Sequence, residues 1–456
     1  MGFSADIIII GAGAAGMMAA IGAATAGKQA DNAVASPECS CPRVVILEKM
    51  PRPGRKIMIS GKGRCNFTNL KDWNEFSRHI HPKPNLLKPA FMNLTPEKMI
   101  EFMNAGGLET IVERGDRAFP ASHRASDAVD TLVRRLRQCG AELLCNKEVS
   151  GIRCCQGEVD PAGFEITCID GSTYTCRKLI FATGGLSYPA TGSTGDGLAW
   201  SRDLQIKTTP TFPSLTAIVP KGYKTAETGQ KAAMKGHIDR STPLSETGVL
   251  LNGQSLKNVG LSIRIDGSTV QEEFGDMDFT DGGIEGPIGF KVSRRCVKAI
   301  QNGSKVTVSI DLKPAVELQS LEDRIKNLWE SITQDRRSQG KPYSVKYKVL
   351  LSKLLPMEFI PGFMRCNPDI DHKRIARRLK CWEMEIAGYV GYERCVITAG
   401  GVSADEITPK TLESKRIPGL HIAGELLDLD ADTGGYNMQI AFSTGYLAGQ
   451  AAAKGL

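Results

Sequence analysis

The stretch that most constrains this chain is Gly11-Ala12-Gly13-Ala14-Ala15-Gly16, set between the run Ile7 to Ile10 and an alanine-rich stretch reaching about Ala26. Four β-branched residues in a row read as a strand buried on both faces, as in a parallel sheet. The alanine-rich stretch reads as a helix, so the glycines stand where a strand turns into a helix, the setting that G-x-G-x-x-G requires. Gly11 permits the tight turn, Gly13 lets a pyrophosphate approach the backbone, and Gly16 lets the helix pack on the strand. The N–H groups of the helix start, around Ala14 and Ala15, offer partial positive charge to phosphates. Val44 to Leu47 is the next buried strand and ends in Glu48, followed by Lys49. A carboxylate there can hold both ribose hydroxyls. Glu48 lies 32 residues past Gly16, and a polar insert from Lys28 to Pro42 accounts for the length. The acid disfavours a 2′-phosphate, so NADP is not expected in this site, whereas FAD and NAD both fit.

The uncharged run Ile7 to Gly27 has to be told apart from a membrane span. Asp6 precedes it instead of a basic segment, five glycines interrupt it, and it splits into a β-rich and a small-residue part. The start also lacks the Ser or Thr that myristoylation wants at the sixth position. Net charge is +7 over 456 residues, without a long basic run. That reads as a solvated surface plus a site for an anionic cofactor, so neither a nucleic-acid partner nor a membrane is expected. Thirteen scattered cysteines, an odd number, argue for a reducing cytoplasm over a disulfide scaffold. Cys39 and Cys41 have no second pair nearby and the six histidines lack zinc spacing, so no metal site is expected; His79 and His81, among prolines, read as surface.

Further along, a helix is expected near Ser126 to Cys139. Phe164, Ile166 and Cys168 then alternate, Asp170-Gly171 turns, and Tyr174 and Cys176 alternate back. Leu179 to Ala182 is again a buried strand, ending at Thr183-Gly184-Gly185. The middle third changes character. Leu261, Ile263 and Ile265, then Val306, Val308, Ile310 and Leu312, read as antiparallel strands. Leu318, Leu321, Ile325, Leu328 and Ile332 repeat with helical spacing, and helical pattern continues through Val345 to Leu355 and Ile375 to Leu379. Buried-strand style returns near Val396. The expected organisation is an α/β fold: a Rossmann-type domain from residues 1–200 and 391–456, an inserted antiparallel β domain at 201–315, and an inserted helical subdomain at 316–390.

Two features outside the first motif favour FAD over NAD. Ser60-Gly61-Lys62-Gly63-Arg64-Cys65-Asn66, preceded by Arg55-Lys56, is a second glycine-rich loop able to bring backbone N–H groups to a ring or phosphate; a plain surface turn is the alternative. Near the C-terminus, His421 to Gly424-Glu425 reads as a strand closing on Gly and an acid. Thr433-Gly434-Gly435-Tyr436-Asn437 then opens a small-residue helix to about Ala453. A helix start with paired glycines can stabilise negative charge at N1 and O2 of a reduced flavin, which a nicotinamide site does not need.

These motifs resemble, in order and from end to end, a bacterial family of NAD(P)/FAD-dependent oxidoreductases known mainly from structural genomics, some of them aminoacetone oxidases or bile-acid enone reductases. The matching stretches are Ile9 to Gly16, Gly54-Arg55-Lys56 through Ser60 to Asn69, Phe181-Ala182-Thr183-Gly184-Gly185, Thr398 to Val402, Ala423-Gly424-Glu425 to Asp428, and Thr433 to Asn437. The resemblance implies a discontinuous FAD domain with an inserted β-barrel and a helical subdomain. It implies that Glu48 holds the ribose, that Arg55 to Asn66 lie along the cofactor, and that Gly434 to Asn437 meet the ring; Lys49 and Val149 complete the candidate contacts. Where the family often has His and Ser, this chain has Asp281 and Glu285, so substrate assignments do not carry over.

A flavin passes a hydride or two electrons in either direction, and the protein positions the substrate. No second G-x-G-x-x-G is present, since Gly192 to Gly197 has the wrong spacing. Either the substrate reduces the flavin, or NAD(P)H visits as a transient donor without a Rossmann site. Cys65 lacks the partner cysteine of flavin disulfide reductases and reads as packing. Arg117 and Arg124 could face a substrate anion; a solvated helix entry is the preferred reading. No catalytic residue is assigned. Reduction of a conjugated C=C bond of a small molecule with a nicotinamide donor leads; an amine-type oxidase using oxygen and a flavin-binding protein with an RNA-related role are the alternatives. The sequence leaves the oligomeric state open.

Overall fold

The structure is a computed structural model and describes residues 4–26, 42–155, 163–223 and 247–456. Most of the polar insert, with Cys39 and Cys41, lies outside the described residues. The chain divides into two compact units, one formed by Met1–Phe212 with Ile397–Leu456 and one by Pro213–Val396.

In the first unit, the strand Ala5–Ile10 pairs in parallel with Val44–Glu48 on one side and with Thr173–Phe181 on the other. Ile7, Ile8 and Ile9 are fully buried, which is why the run carries no polar face. Glu142–Cys145 extends the sheet in parallel beyond Val44–Glu48. Leu420–Ile422, from the far end of the chain, pairs in parallel with Leu179 to Phe181, so both ends build one sheet. The other edge is antiparallel: Thr173–Phe181 pairs with Gly163–Cys168 across the Asp170-Gly171 turn, and that strand pairs with Val149–Cys155. This is the Rossmann-type arrangement expected from the sequence.

The helix Ala14–Ala26 is buried along most of its length, so its small and apolar residues face packed protein on all sides. Its main partner is the C-terminal helix Tyr436–Lys454. A Cβ on Gly445 would stand 2.1 Å from the Ala15 carbonyl oxygen, and one on Gly449 1.9 Å from that of Ala19. The two helices therefore touch backbone to backbone, an approach only glycine allows.

The second unit contains a closed barrel of six strands, in the order Ile218–Pro220, Gly283–Glu285, Ser268–Thr280, Ser255–Ile265, Val306–Asp311 and Trp382–Tyr389, with every pairing antiparallel. Four helices, Leu318–Gln334, Tyr343–Ser352, Ile360–Cys366 and Ile375–Lys380, precede the return to the barrel. They share its core: Trp382 meets Phe279, Phe359 and Phe363 with ring centroids 5.8, 5.6 and 5.3 Å away. The stretch read as purely antiparallel also holds a 16-residue helix, Gly286–Gln301. Its signals were there to read: Pro287 in the first turn, then Ile288, Val292, Cys296 and Ala299 on one buried face.

Candidate functional site

The first unit gathers the sequence motifs at the ends of its parallel strands, where α/β sheets bind ligands. Gly11 has φ +98°, and a Cβ there would lie 2.6 Å from the Ala182 carbonyl oxygen. A Cβ on Gly16 would lie 1.8 Å from the Gly11 carbonyl oxygen, which fixes how closely the helix follows the turn. Gly13 is different: nothing lies within 4 Å of its added Cβ. Its face, beside Ala14 and Ala15 at the helix start, is the open one.

Glu48 closes over this turn. Its Oε2 accepts from the Ala12 N–H at 2.6 Å and its Oε1 from the Met50 N–H at 2.8 Å. Burial pushes its carboxyl above the ordinary value, opposed by those two hydrogen bonds and by the charges of Lys49 and Arg55. Each oxygen retains acceptor capacity for a hydroxyl. Lys49 turns away: it is ion-paired with Asp196 at 2.6 Å and also donates to Thr194. Arg55 is exposed and reaches the Ala190 carbonyl at 3.4 Å. Val149 is buried at the start of the antiparallel edge strand, two residues past Lys147, whose N–H donates to the Glu48 carbonyl at 2.9 Å.

A second cluster joins three distant segments. Lys56 donates to Ser187 and is ion-paired with Glu425, and Ser187 donates to Glu425. Glu425 also accepts from the Thr398 N–H at 2.9 Å, while the Thr398 hydroxyl accepts from Leu186 N and Ser187 N at 2.8 and 3.0 Å. This ties the loop after Ala182, Thr183, Gly184 and Gly185 to the C-terminal segment. Gly185 has no room for a side chain against Thr398, and Gly424 none against Ala15.

The loop Ser60 to Asn66 winds left-handed at Gly61, Lys62, Gly63 and Cys65. Ser60 donates to the Ile57 carbonyl at 2.7 Å. Arg64 lies over the Phe119 ring, 4.4 Å from its centroid, donates to His123 at 2.8 Å and pairs with Glu113. Its guanidinium is thus held by protein groups. Cys65 is fully buried, and burial pushes its thiol up to about 12, so it is a neutral packing residue. Asn66 Oδ1 is buried with no protein hydrogen-bond partner.

Asn66 to Asn69 lie against the start of the C-terminal helix. A Cβ on Gly435 would meet the Thr68 carbonyl oxygen at 2.5 Å and Asn66 Oδ1 at 2.7 Å. Asn69 Nδ2 donates to the Gly434 carbonyl at 2.9 Å. The side chain of Asn437 donates to the Ala431 carbonyl at 2.7 Å and accepts from the Ala431 N–H at 2.8 Å, which braces the turn. Tyr436 is buried against Phe76 and stacked on His79, centroids 4.4 Å apart. What the turn offers a ligand is its backbone.

His79 is not a bystander on the surface: its Nδ1 lies 2.8 Å from Asp432 Oδ2, and His81 Nε2 lies 3.8 Å from Oδ1. Asp432 is also half-buried, and that desolvation opposes ionisation, but the two imidazoles hold its carboxyl down at about 2. The partners stand 353 positions apart in the sequence, so no local pattern joins them. Arg124 is exposed at its helix start, as read; Arg117 folds back on the Arg114 carbonyl at 3.0 Å.

In the second unit, Arg394 forms a bidentate pair with Asp281 at 2.8 and 2.6 Å and lies 3.8 Å from Glu285. Arg394 holds the Asp281 carboxyl low, while burial pushes Glu285 up. Among the described residues no cluster of His, Cys, Asp and Glu suits a metal ion, and no helix is long and apolar enough to cross a membrane.

The residues present fit FAD. An open face at Gly13 on a helix start suits a pyrophosphate, a buried acid at the second strand end suits a ribose, and Asn66 Oδ1 is a buried acceptor lacking a donor.

The HI0933-like protein Rossmann domain family model matches residues 5–451. The chain is 29% identical to a 3-dehydro-bile acid delta(4,6)-reductase of Clostridium scindens, over 98% of each chain. It is also 29% identical to a ribosomal RNA dihydrouridine synthase of Escherichia coli, over 98% of this chain and 97% of that one. A ribosomal RNA dihydrouridine synthase of Haemophilus influenzae is 28% identical over 96% of both. With two of these names concerning RNA, the expectation of no nucleic-acid partner is not supported. The chain belongs to the HI0933-like family of FAD-binding Rossmann proteins and is a flavin-dependent oxidoreductase.

Proposed function

We propose that this chain reduces a carbon–carbon double bond conjugated to a carbonyl, using FAD and a nicotinamide nucleotide as donor. One observation carries the reading. Two relatives equally similar to this chain act, by name, on a bile acid and on ribosomal RNA. A 3-oxo-4,6-diene and a uracil ring have little in common except a C=C bond conjugated to a carbonyl. What such relatives share over their full lengths is the chemistry.

FAD supplies hydride transfer when bound. In this reading the helix start at Gly13 to Gly16 holds the pyrophosphate, and Glu48 accepts from the ribose hydroxyls. Asn66 Oδ1 accepts from an N–H of the ring. The backbone of Gly434 to Asn437 faces the ring with N–H groups and the positive end of a helix, which favours negative charge there. Lys56, Ser187 and Glu425 hold the segments around it in register. Cys65, kept neutral, takes no part in electron transfer. The balance is one hydride from NAD(P)H and one proton from solvent, added across the C=C bond.

Anaerobic mixing with NADH and NADPH tests this. One of them bleaches the flavin, and a 3-oxo-4-ene steroid or a uridine-containing RNA restores its colour without oxygen. If neither nucleotide bleaches it and an amine does, the reductase reading gives way to an amine-type oxidase.

A further inference from the structure

The net charge of this chain is unevenly placed. Residues 335–380 hold twelve Lys and Arg against four Asp and Glu, a net +8 that exceeds the +7 of the whole sequence. The rest of the chain is therefore slightly acidic in sum. The modest total conceals a basic segment, which comprises the helices Tyr343–Ser352, Ile360–Cys366 and Ile375–Lys380 with their connections. Nine of the twelve basic residues are exposed. Among described residues, only Arg374, Arg377 and Lys380 of the twelve are ion-paired, with Asp371, Glu322 and Asp311.

Aromatic rings lie among these charges. Trp329, on the preceding helix Leu318–Gln334, stacks on His372 with centroids 4.1 Å apart and planes at 13°. Tyr343 leans on Trp329 at 5.2 Å, and its hydroxyl accepts from the His372 N–H at 3.0 Å. Tyr343 is the outermost ring, 46% exposed. Lys341 precedes it by two residues, Lys346 follows one turn on, and Lys373 adjoins His372. Buried Tyr347, Leu350 and Leu351 anchor the same helix in the core. The rings are thus fixed in place, at little further entropic cost on binding.

We propose that this face of the helical segment is a docking surface for single-stranded or looped RNA, with lysines on phosphates and the Tyr343 cluster stacking a base. An exposed ring, Tyr343, backed by the half-buried Trp329 and His372 and set among lysines without ion pairs, matches what unstacked nucleic acid presents, a phosphate chain with bases turned out. The exposed valines of the helix Tyr343–Ser352, Val345 and Val349, are each 37% exposed, too little for that helix to lie in a lipid interface. The proposal deepens the reductase reading by giving its substrate a polymeric handle. It rests on that reading only for the fate of the base, and binding without turnover tests it separately.

The experiment measures binding of the FAD-loaded full chain to a fluorescein-labelled uridine-rich single-stranded RNA. A DNA duplex of equal length and vesicles of phosphatidylcholine with phosphatidylglycerol serve as competitors. The RNA is bound at about 50 mM salt, with an affinity falling steeply as salt rises. Removing three phosphate contacts in Lys341→Ala/Lys346→Ala/Lys373→Ala lowers the salt slope by about 2 and the low-salt affinity roughly tenfold or more. The matching Lys→Arg triple variant restores binding. Tyr343→Ala weakens binding roughly tenfold with the slope unchanged, the mark of a lost stacking contact. Flavin absorbance and Tm of each variant report its folding. Absence of RNA binding, binding that the folded triple variant keeps in full, or lysine-dependent binding of vesicles without RNA overturns the proposal.

Discussion

Asp432 shows what a single half-buried carboxylate does in this fold. Its carboxyl sits at about 2, below the ordinary 3.8, although burial alone would raise it. Because the folded value is the lower one, the ionised form contributes stability above pH 3.8, and that contribution fades as pH falls toward 2. The shift corresponds to about 2 kcal/mol. Asp432→Asn is therefore expected to be less stable than the parent by about 2 kcal/mol near pH 5 and to converge with it near pH 2, as read by urea unfolding at each pH. A constant difference across that range would mean that Asp432 acts through shape alone. Neither His79 nor Asp432 carries a local signal, since each looks like ordinary surface in its own stretch. Asn66 Oδ1 was likewise invisible: sequence shows an asparagine in a glycine-rich loop, and only packing reveals an acceptor sealed from protein donors.

Elements were more legible than pairings. Glycine spacing between a β-branched run and an alanine-rich run is a local pattern, and it placed the first strand, the turn and the helix correctly. The C-terminal stretch was readable as a small-residue helix, yet the reason for its composition was not. Gly445 and Gly449 stand one turn apart and lay the helix on the carbonyls of Ala15 and Ala19. Those partners lie some 430 residues earlier, so no window of sequence contains both. Gly449→Ala is expected to force the helices apart, costing about 1–3 kcal/mol by overpacking. The check is calorimetry: Tm drops by several degrees, and more flavin is lost on gel filtration than from the parent. Gly455→Ala, where an added Cβ meets the flexible end of the Lys178 side chain at 3.3 Å and the Ala451 carbonyl oxygen at an ordinary 3.6 Å, is the control expected to behave like the parent. The helix Gly286–Gln301 lies between alternating stretches that read as strands, although its own apolar spacing is helical.

At the scale of the molecule the two units differ in kind. Pro213–Val396 is one continuous piece of chain with its own core around Trp382. Expressed alone, residues 213–396 are expected to melt cooperatively in circular dichroism, since every strand of the barrel is present; a non-cooperative melt would show that the barrel needs the rest of the chain. Charge is the property that whole-chain bookkeeping hid most effectively. A sum of +7 reads as unremarkable until the fold groups residues 335–380, where the excess resides.

The flavin unit is the opposite, a sheet and a helix pair closed by the last sixty residues. Translation imposes an order on it. At about 5–20 residues per second, the helix Ala14–Ala26 leaves the ribosome roughly 20–80 s before Tyr436–Lys454 exists to cover it. Through that interval its apolar surface has no native neighbour along much of its length, while the intervening barrel is complete and free to fold. On the flavin placement proposed above, capture waits for Gly434 to Asn437, and a product terminated before them is the form most in need of a chaperone.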